Sequence, residues 1–380
     1  MNDRPLAILQ VLPKLDTGGA ERVVIEICEA IHRTGHHALI ACETGALAQA
    51  ALRAGAEIVP LPLDTKSPFA IRRNAKRLER LIRARGIALV HAHSRAPAWS
   101  ALWASRATKT PFVTTYHGAY NENSAIKRRY NSVMAEGDRV IAVSHFIAEL
   151  IAQRTRIPAE RIRVIHGGVD PQRFDPSGIM GDRIARMARD WRVELGDEIL
   201  LLPGRLTGWK GQRLLLDAMR RMEHQGAIAV FAGGAQGREA YVQELVQHAG
   251  RLGIAERLRI VGHVEDMPAA MMLADVVVNA STDPEAFGRT IIEAQAMGRI
   301  TVAAAHGGAR ETILPGETGL LFTPRDAQAL AASLDTALGM DAPTRIAFGQ
   351  RARAHIVAHY SVAAMQQAVL DVYAELLVAE

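Results

Sequence analysis

Short apolar runs alternate with amphipathic stretches along most of the chain. In the first half the apolar runs cover residues 7–12, 37–41, 87–91, 111–116, 139–143 and 161–165. The first two runs are separated by a helical pattern over residues 20–33. Strands that are almost continuously hydrophobic and alternate with helices are typical of a parallel sheet that is buried on both faces. The pattern therefore predicts an α/β fold.

The same pattern restarts in the second half, with apolar runs at residues 199–202, 227–232, 258–261, 276–278 and 300–304. A segment rich in Gly, Pro and Asp, residues 167–178, separates the two series and is expected to be a linker. The prediction is two doubly wound, Rossmann-like domains over residues 1–170 and 171–360. A last helical pattern, within residues 361–380, is expected to pack back on the first domain or on the second. Ligands of such sheets bind beyond the carboxyl ends of the strands, so we expect the site in a cleft between the domains.

The charge is unevenly distributed. The chain has 380 residues and a net charge of +5, but residues 1–175 hold 25 Lys and Arg against 16 Asp and Glu, or +9. The remaining 20 basic and 24 acidic residues give −4. A basic first half can attract an anionic partner. Two cysteines and an N-terminus without a signal-peptide pattern predict a cytoplasmic protein without a disulfide framework.

Two segments place charged side chains directly after apolar runs. The sequence GRLTGWKG, residues 204–211, carries Arg205 and Lys210, and EAFGRTIIE, residues 285–293, carries Glu285 and Glu293. Cations and the free amides of a helix N-terminus suit a diphosphate, whereas carboxylates suit sugar and ribose hydroxyls. The combination indicates a nucleotide-sugar site. In the alternative interpretation the cations only cap a loop, Glu285 only favours the helix dipole, and Glu293 faces solvent.

With further motifs in a fixed order, the chain resembles the retaining glycosyltransferases of family 4, which have the GT-B fold. The additional motifs are GGAER at residues 18–22, VIHGGVD at 164–170, FAGGAQG at 231–237, GHVEDMP at 262–268, and HGGARETI with GETGLLF over 306–322. Each motif alone is weak, but their order along nearly the whole chain is specific. The resemblance implies a hexosyltransferase that uses a nucleotide-sugar donor.

The resemblance also implies roles for individual residues of the second domain. Arg205 and Lys210 would hold the donor diphosphate, Glu285 would contact the hydroxyls of the transferred sugar, and Glu293 would contact the ribose. Phe287 and Gly288 lead into a helix whose first amides would face the donor. We find no Asp-x-Asp motif, so the two cations are expected to replace a metal ion and the enzyme to need no cofactor.

In the first domain the resemblance assigns Gly18 and Gly19 to a loop that faces the donor phosphate. It makes His117, in the sequence TTYHG, a catalytic-centre residue that hydrogen-bonds the donor sugar, although a histidine that only satisfies loop carbonyls is the alternative. His91 and His93 also end an apolar run. We expect His91 to be buried, whereas His93 could line the cleft.

The acceptor is less clearly specified than the donor. A UDP-sugar is favoured as donor, with GDP-mannose as the alternative, and the acceptor is expected to be a glycan or a lipid-linked glycan of bacterial lipopolysaccharide or surface polysaccharide. Retention follows from the resemblance, with the leaving phosphate taking the proton of the acceptor. The different interpretation is a non-catalytic nucleotide-sugar-binding or scaffold protein. An NAD-dependent dehydrogenase is disfavoured, because the glycines after the first apolar run lack the G-x-G-x-x-G spacing.

Basic side chains are concentrated in residues 71–86, IRRNAKRLERLIRARG, and in the cluster 127–129, KRR. One interpretation is an ordinary amphipathic helix with a solvated basic face. The other is peripheral, salt-sensitive contact with the anionic cytoplasmic leaflet of the inner membrane. Nucleic acid is disfavoured as a partner, because no zinc-finger spacing, RNP motif or basic zipper is present and aromatic residues make up only 5% of the chain.

Overall fold

The computed structural model describes residues 5–16, 18–194 and 196–377. The chain divides into two compact units, one formed by Met1–Gly167 with Val362–Glu380 and the other by Gly168–Ser361. The sequence pattern placed this boundary at residue 170. No helix in the described ranges is both long enough and apolar enough to span a bilayer.

The first unit is built on a seven-stranded parallel sheet with the order β3-β2-β1-β4-β5-β6-β7. Its strands are β1 Ala7–Lys14, β2 His37–Glu43, β3 Ala56–Pro60, β4 Ile87–Ala92, β5 Phe112–Tyr116, β6 Arg139–Ala142 and β7 Ile162–Val164. Its helices are α1 Gly19–Arg33, α2 Ala48–Arg53, α3 Pro68–Arg85, α4 Arg95–Thr108, α5 Ala125–Asn131, α6 His145–Arg154 and, from the end of the chain, α15 Val362–Leu377.

The second unit is built on a six-stranded parallel sheet with the order β10-β9-β8-β11-β12-β13. Its strands are β8 Ile199–Pro203, β9 Ile228–Ala232, β10 Leu258–Gly262, β11 Val276–Asn279, β12 Ile300–Ala304 and β13 Leu320–Phe322. Its helices are α7 Gly181–Trp191, α8 Gln212–Met219, α9 Glu239–Arg251, α10 Met267–Leu273, α11 Arg289–Ala296, α12 Ala309–Thr312, α13 Ala327–Leu338 and α14 Ala342–His359. The predicted fold class, two doubly wound parallel sheets, is confirmed.

The central strands are buried because helices cover both faces of each sheet. Every residue of β5, β8, β9 and β12 is buried. The strand orders reverse beside β1 in the first unit and beside β8 in the second, which are the switch points where ligands of such sheets bind. Two strands, β3 and β13, were absent from the sequence prediction. Both lie at a sheet edge: Glu57 interrupts the apolar residues of β3, whereas β13 is apolar but only three residues long.

The C-terminal helix α15 packs in the first unit. Its buried residues Met365, Val369, Val372 and Tyr373 share a core with α1 and the sheet. Polar contacts align the helix as well, since the Gln366 side-chain amide donates to the carbonyl of Glu26 at 2.7 Å and accepts from Arg33 at 2.9 Å. The first unit is therefore completed by a segment that follows the second unit in sequence.

Candidate functional site

Lys210 is delivered by a tight connection between β8 and α8. Residues Gly208–Lys210 form one turn of 3-10 helix, and Gly211 follows with φ 77° before α8 begins at Gln212. A Cβ atom on Gly211 would lie 1.8 Å from the carbonyl oxygen of Ala280, just beyond the end of β11. Only glycine combines this conformation with so close an approach. The turn therefore places Lys210 against the end of the neighbouring strand.

Glu285 is the partner that Lys210 meets there. The Lys210 ammonium donates to Oε1 of Glu285 at 2.8 Å, and the two side chains are only 13% and 14% exposed. Asn279, the last residue of β11, donates to the same oxygen at 2.9 Å, and the Ser281 hydroxyl donates to it as well. Within the described residues no donor is directed at Oε2 of Glu285. That oxygen can therefore accept a hydrogen bond from a ligand hydroxyl.

The environment of Glu285 keeps its carboxyl group ionised. Burial by itself would raise the pKa of this group, but the Lys210 cation and the hydrogen bonds from Ser281 and Asn279 outweigh burial and hold the pKa below its ordinary value. Lys210 is fixed from a second side, because its ammonium lies 4.7 Å from the ring centroid of Trp209. The sequence analysis assigned Lys210 and Glu285 to different parts of a donor and did not foresee that they bind each other.

The loop that carries Glu285 is tied to the end of β12. The His306 imidazole donates from Nε2 to the carbonyl of Ser281 at 2.9 Å, and the amide of Gly308 donates to the carbonyl of Glu285 at 3.0 Å. Thr282 also donates through its amide to the carbonyl of Trp209 at 2.7 Å. These bonds fix the carboxylate relative to three strand ends. Asn279, Ser281 and His306 were not among the predicted site residues, although a polar residue at the end of a buried strand is the signal that could have indicated Asn279.

The other predicted residues of the second unit take different positions. Arg205 is exposed, and its guanidinium makes no ion pair within the described chain. Phe287 is buried, and Gly288 is the N-cap of α11. Glu293 lies within α11 with its carboxylate 3.7 Å from Nε of Arg289, and it is only 14% exposed, so it does not face solvent. Lys210 and Glu285 thus form one cluster, whereas Arg205 and Glu293 lie outside it.

The predicted residues of the first unit lie at the carboxyl ends of β1 and β5. Gly18 is the N-cap of α1, and Gly19 is its first residue. His117 directly follows β5 and is half-buried, with Nε2 3.0 Å from Nδ1 of His93. His91 is fully buried, as expected, and His93 is also buried, at 3% exposure. The described geometry therefore places His93 beneath His117 rather than on an open surface.

Comparison with known proteins identifies two family models. Residues 17–173 match the model described as Glycosyltransferase Family 4, and residues 184–355 match the model described as Glycosyl transferases group 1. A D-inositol 3-phosphate glycosyltransferase of Xylanimonas cellulosilytica is 34% identical over 248 residues, which cover 64% of this chain and 58% of the relative. The match thus spans less than two thirds of that relative's length.

Two solved structures are similar over almost their entire length. A glycosyltransferase of Rickettsia africae superposes with a TM-score of 0.89 at 32% identity and covers 98% of this chain and 99% of its own. The HepE protein of Anabaena, crystallised with UDP and glucose, superposes with a TM-score of 0.86 at 25% identity and covers 97% of this chain and 100% of its own.

Proposed function

The chain belongs to the glycosyltransferases of family 4 and group 1, and we propose that it transfers a sugar from a nucleoside diphosphate sugar to a glycan or lipid-linked acceptor. The observation that carries the proposal is the buried pair of Lys210 and Glu285 at the carboxyl ends of β8 and β11. A UDP-sugar is the favoured donor, because HepE was crystallised with UDP and glucose. GDP-mannose is the alternative.

The pair can serve both halves of such a donor. An ammonium group has three N–H donors, and one of them is used on Glu285, so the others are available to a diphosphate oxygen. Oε2 of Glu285 can accept a hydrogen bond from a sugar hydroxyl. Arg205, which is exposed on the same loop, adds a second cation for the departing diphosphate. Stabilising this leaving group electrostatically is the main catalytic contribution that we assign to these residues.

Further details of the reaction are proposed from the family. The transferred sugar keeps its anomeric configuration, the phosphate oxygen of the leaving group takes the proton of the acceptor, and no metal ion takes part. Glu293 binds the ribose, the backbone at Phe287 and Gly288 faces the donor, Gly18 and Gly19 face the donor phosphate, and His117 hydrogen-bonds the donor sugar. The acceptor belongs to bacterial lipopolysaccharide or surface-polysaccharide synthesis.

The test is a screen of UDP- and GDP-sugars in the presence of EDTA, read by thermal shift and by release of the nucleoside diphosphate. The variant Lys210→Ala is compared with Arg213→Ala, which removes an exposed cation of α8 that pairs with Glu244. We expect one donor to bind and turn over, with binding lost in Lys210→Ala and retained in Arg213→Ala. Binding without turnover on any acceptor would favour the non-catalytic alternative, and no binding of any nucleotide sugar would contradict the proposal.

We also propose peripheral contact with an anionic membrane surface through the first unit. The face of α3 that carries Ile71, Leu78 and Ile82 is buried, whereas its basic side chains are mostly exposed. A large exposed apolar side chain precedes each basic segment. Phe69 is 88% exposed at the start of α3, and Ile126 is 82% exposed beside the basic cluster 127–129. Exposed apolar side chains flanked by cations are suited to insertion at a lipid interface.

This contact is tested by sedimentation with vesicles that contain anionic lipid and with neutral vesicles, at low and high salt. We expect binding to anionic vesicles only, reduced by salt and by the pair Arg72→Glu and Lys76→Glu. The matched control is the pair Arg220→Glu and Arg221→Glu, an equal charge reversal on exposed positions of the second unit. Complete retention in the supernatant with anionic vesicles at low salt would contradict the proposal.

A further inference from the structure

Five polar side chains are buried together on one face of the sheet of the first unit. They are Gln10 of β1, His91 and His93 at the end of β4, Thr115 of β5, and Tyr373 of α15, and each is at most 3% exposed. Gln10 lies opposite His91 in the strand register, and α15 covers this face of the sheet. Buried polar groups destabilise a fold unless they are hydrogen-bonded, so the pairing of these groups is informative.

The first part of the group forms a continuous hydrogen-bonded chain that ends at His117. Nε2 of His117 lies 3.0 Å from Nδ1 of His93, and Nε2 of His93 lies 2.7 Å from Oε1 of Gln10. The amide nitrogen of Gln10 donates to the hydroxyl of Tyr373 at 3.1 Å. The chain thus connects the half-buried His117 to the C-terminal helix through two fully enclosed side chains.

The second part continues from Tyr373 to the next strand. The Tyr373 hydroxyl lies 2.7 Å from Nδ1 of His91, and Nε2 of His91 lies 2.7 Å from the hydroxyl of Thr115. Burial, together with the neighbouring histidines, lowers the pKa of both His91 and His93 well below the ordinary value. Each ring is therefore neutral at physiological pH and has one N–H donor and one acceptor nitrogen.

The orientation of the Gln10 amide determines where each proton lies. Its carbonyl oxygen can only accept, so His93 donates from Nε2, and Nδ1 of His93 is an acceptor. His117 must then donate from its own Nε2. On the other side, Tyr373 accepts from the amide nitrogen and donates its single proton to His91. A reversed amide would invert every one of these bonds and turn the lone pair of His117 toward His93.

We propose that Gln10 and Tyr373 are positioning residues that hold His117 with its Nε2–H directed at His93. This bond fixes the imidazole ring for the contact with a hydroxyl of the transferred sugar, which is the role that the proposed function gives to His117 and on which this inference rests. Gln10 sets the tautomer of His93, and the Tyr373 hydroxyl accepts from the Gln10 amide nitrogen and links the amide to His91. The C-terminal helix therefore contributes to the chemistry of the site as well as to the core.

The direct test uses the full-length chain with ¹⁵N-labelled histidine and detects the ring nitrogens by long-range proton–nitrogen NMR. We expect the Nε2–H tautomer for both His93 and His117 in the wild type. In Gln10→Met and in Tyr373→Phe we expect a mixture of tautomers at His117. A wild-type His117 with its proton on Nδ1, or a tautomer that both variants leave unchanged, would overturn the proposal. This measurement does not depend on any transferase activity, so it is separate from the test of the proposed function.

The kinetic test compares Tyr373→Phe with Val369→Ala. Both changes affect buried residues of α15, but only the first removes a member of the hydrogen-bonded chain. We expect Tyr373→Phe to lower kcat/KM for the nucleotide sugar roughly threefold to tenfold, the value of one hydrogen bond. The Kd of the free nucleoside diphosphate, which lacks the sugar hydroxyl, stays unchanged.

Val369→Ala is expected to lower Tm while turnover is retained. An equal loss of turnover in both variants would mean that Tyr373 acts only through stability, and would overturn the proposal.

Discussion

At the level of single residues, Glu285 shows how a buried carboxylate is kept ionised and held in one orientation. Three donors, from Lys210, Asn279 and Ser281, converge on Oε1. A buried charge is tolerated only when it is paired and hydrogen-bonded, and here both conditions are met at one oxygen. Because the donors lie on one side, the carboxylate plane is fixed and Oε2 is oriented. The arrangement prepares an acceptor for a hydroxyl before any ligand binds.

The depressed pKa of Glu285 predicts a specific dependence of stability on pH. A carboxyl group whose pKa is lower in the folded state stabilises the fold above its unfolded pKa, which is 4.5, and the contribution is lost as the pH falls through the folded value. We expect Glu285→Gln to lower the free energy of unfolding by about 3 kcal/mol at pH 7, the order measured when one partner of a buried pair is removed. The difference from wild type should shrink below pH 4.5.

The measurement is thermal or urea unfolding of wild type and variant from pH 7 to the acid limit of folding. Glu244→Gln is the matched control, because Glu244 pairs with Arg213 on the surface and is half exposed. Exposed pairs contribute about 0–1 kcal/mol, so this variant should stay close to wild type throughout. A difference between Glu285→Gln and wild type that is constant down to acid pH would show that the charge of Glu285 does not stabilise the fold.

At the level of elements, the connection between β8 and α8 depends on Gly211. Its φ of 77° is unfavourable for residues with a side chain, and a Cβ atom would overlap with the carbonyl oxygen of Ala280. We expect Gly211→Ala to displace the turn that carries Lys210, to destabilise the second unit by about 2–4 kcal/mol and to abolish donor binding. Circular dichroism melts and thermal shift with the nucleotide sugar measure both effects.

Gly226 provides the control for this substitution. It lies in the same unit, has no heavy atom within 4 Å of a Cβ position and does not have a positive φ. Gly226→Ala should therefore change neither stability nor binding appreciably. If Gly211→Ala behaved like Gly226→Ala, the close approach of the turn to the end of β11 would not be what positions Lys210.

Elements also show what the sequence could predict. Central strands such as β8 and β9 were predictable, because burial on both faces demands a continuous apolar run. The edge strands β3 and β13 were not, because Glu57 interrupts the apolar residues of β3 and because β13 is only three residues long. The strand-end position of Lys210 could be predicted from its spacing after β8. Its contact with Glu285 could not, since that contact depends on how two loops approach each other in space.

The histidines of the first unit also show which contacts could not be predicted from the sequence. Their alternation in VHAHS placed His91 and His93 on one face of β4, which was visible in the sequence. Their partner Tyr373 lies 282 residues from His91, on a helix that follows the whole second unit. No local pattern connects residues at such a separation. The hydrogen-bonded chain could therefore be found only in the folded unit.

At the level of the whole molecule, the first unit depends on both ends of the chain. Met365, Val369, Val372 and Tyr373 are each at most 4% exposed in the core that α15 shares with α1 and the sheet. Burial of a large apolar side chain contributes about 1.5–3 kcal/mol, so these four together contribute on the order of 8 kcal/mol. The net stability of a domain is typically 5–15 kcal/mol. The packing of α15 is thus comparable with the entire stability of the unit.

Deletion of residues 362–380 should consequently unfold the first unit, while the second unit, whose main core lies within Gly168–Ser361, retains its protection. Hydrogen exchange read by mass spectrometry distinguishes the two, because peptides from β1 and β4 should lose protection and peptides from β8 and β11 should keep it. The control is the pair Gln367→Ala and Asp371→Ala, which removes a hydrogen bond on the exposed face of α15 and should leave both units protected. Protected β1 peptides in the truncated chain would show that α15 is not needed to complete the first core. The effect of α15 on the position of His117 could then be measured separately from its effect on folding.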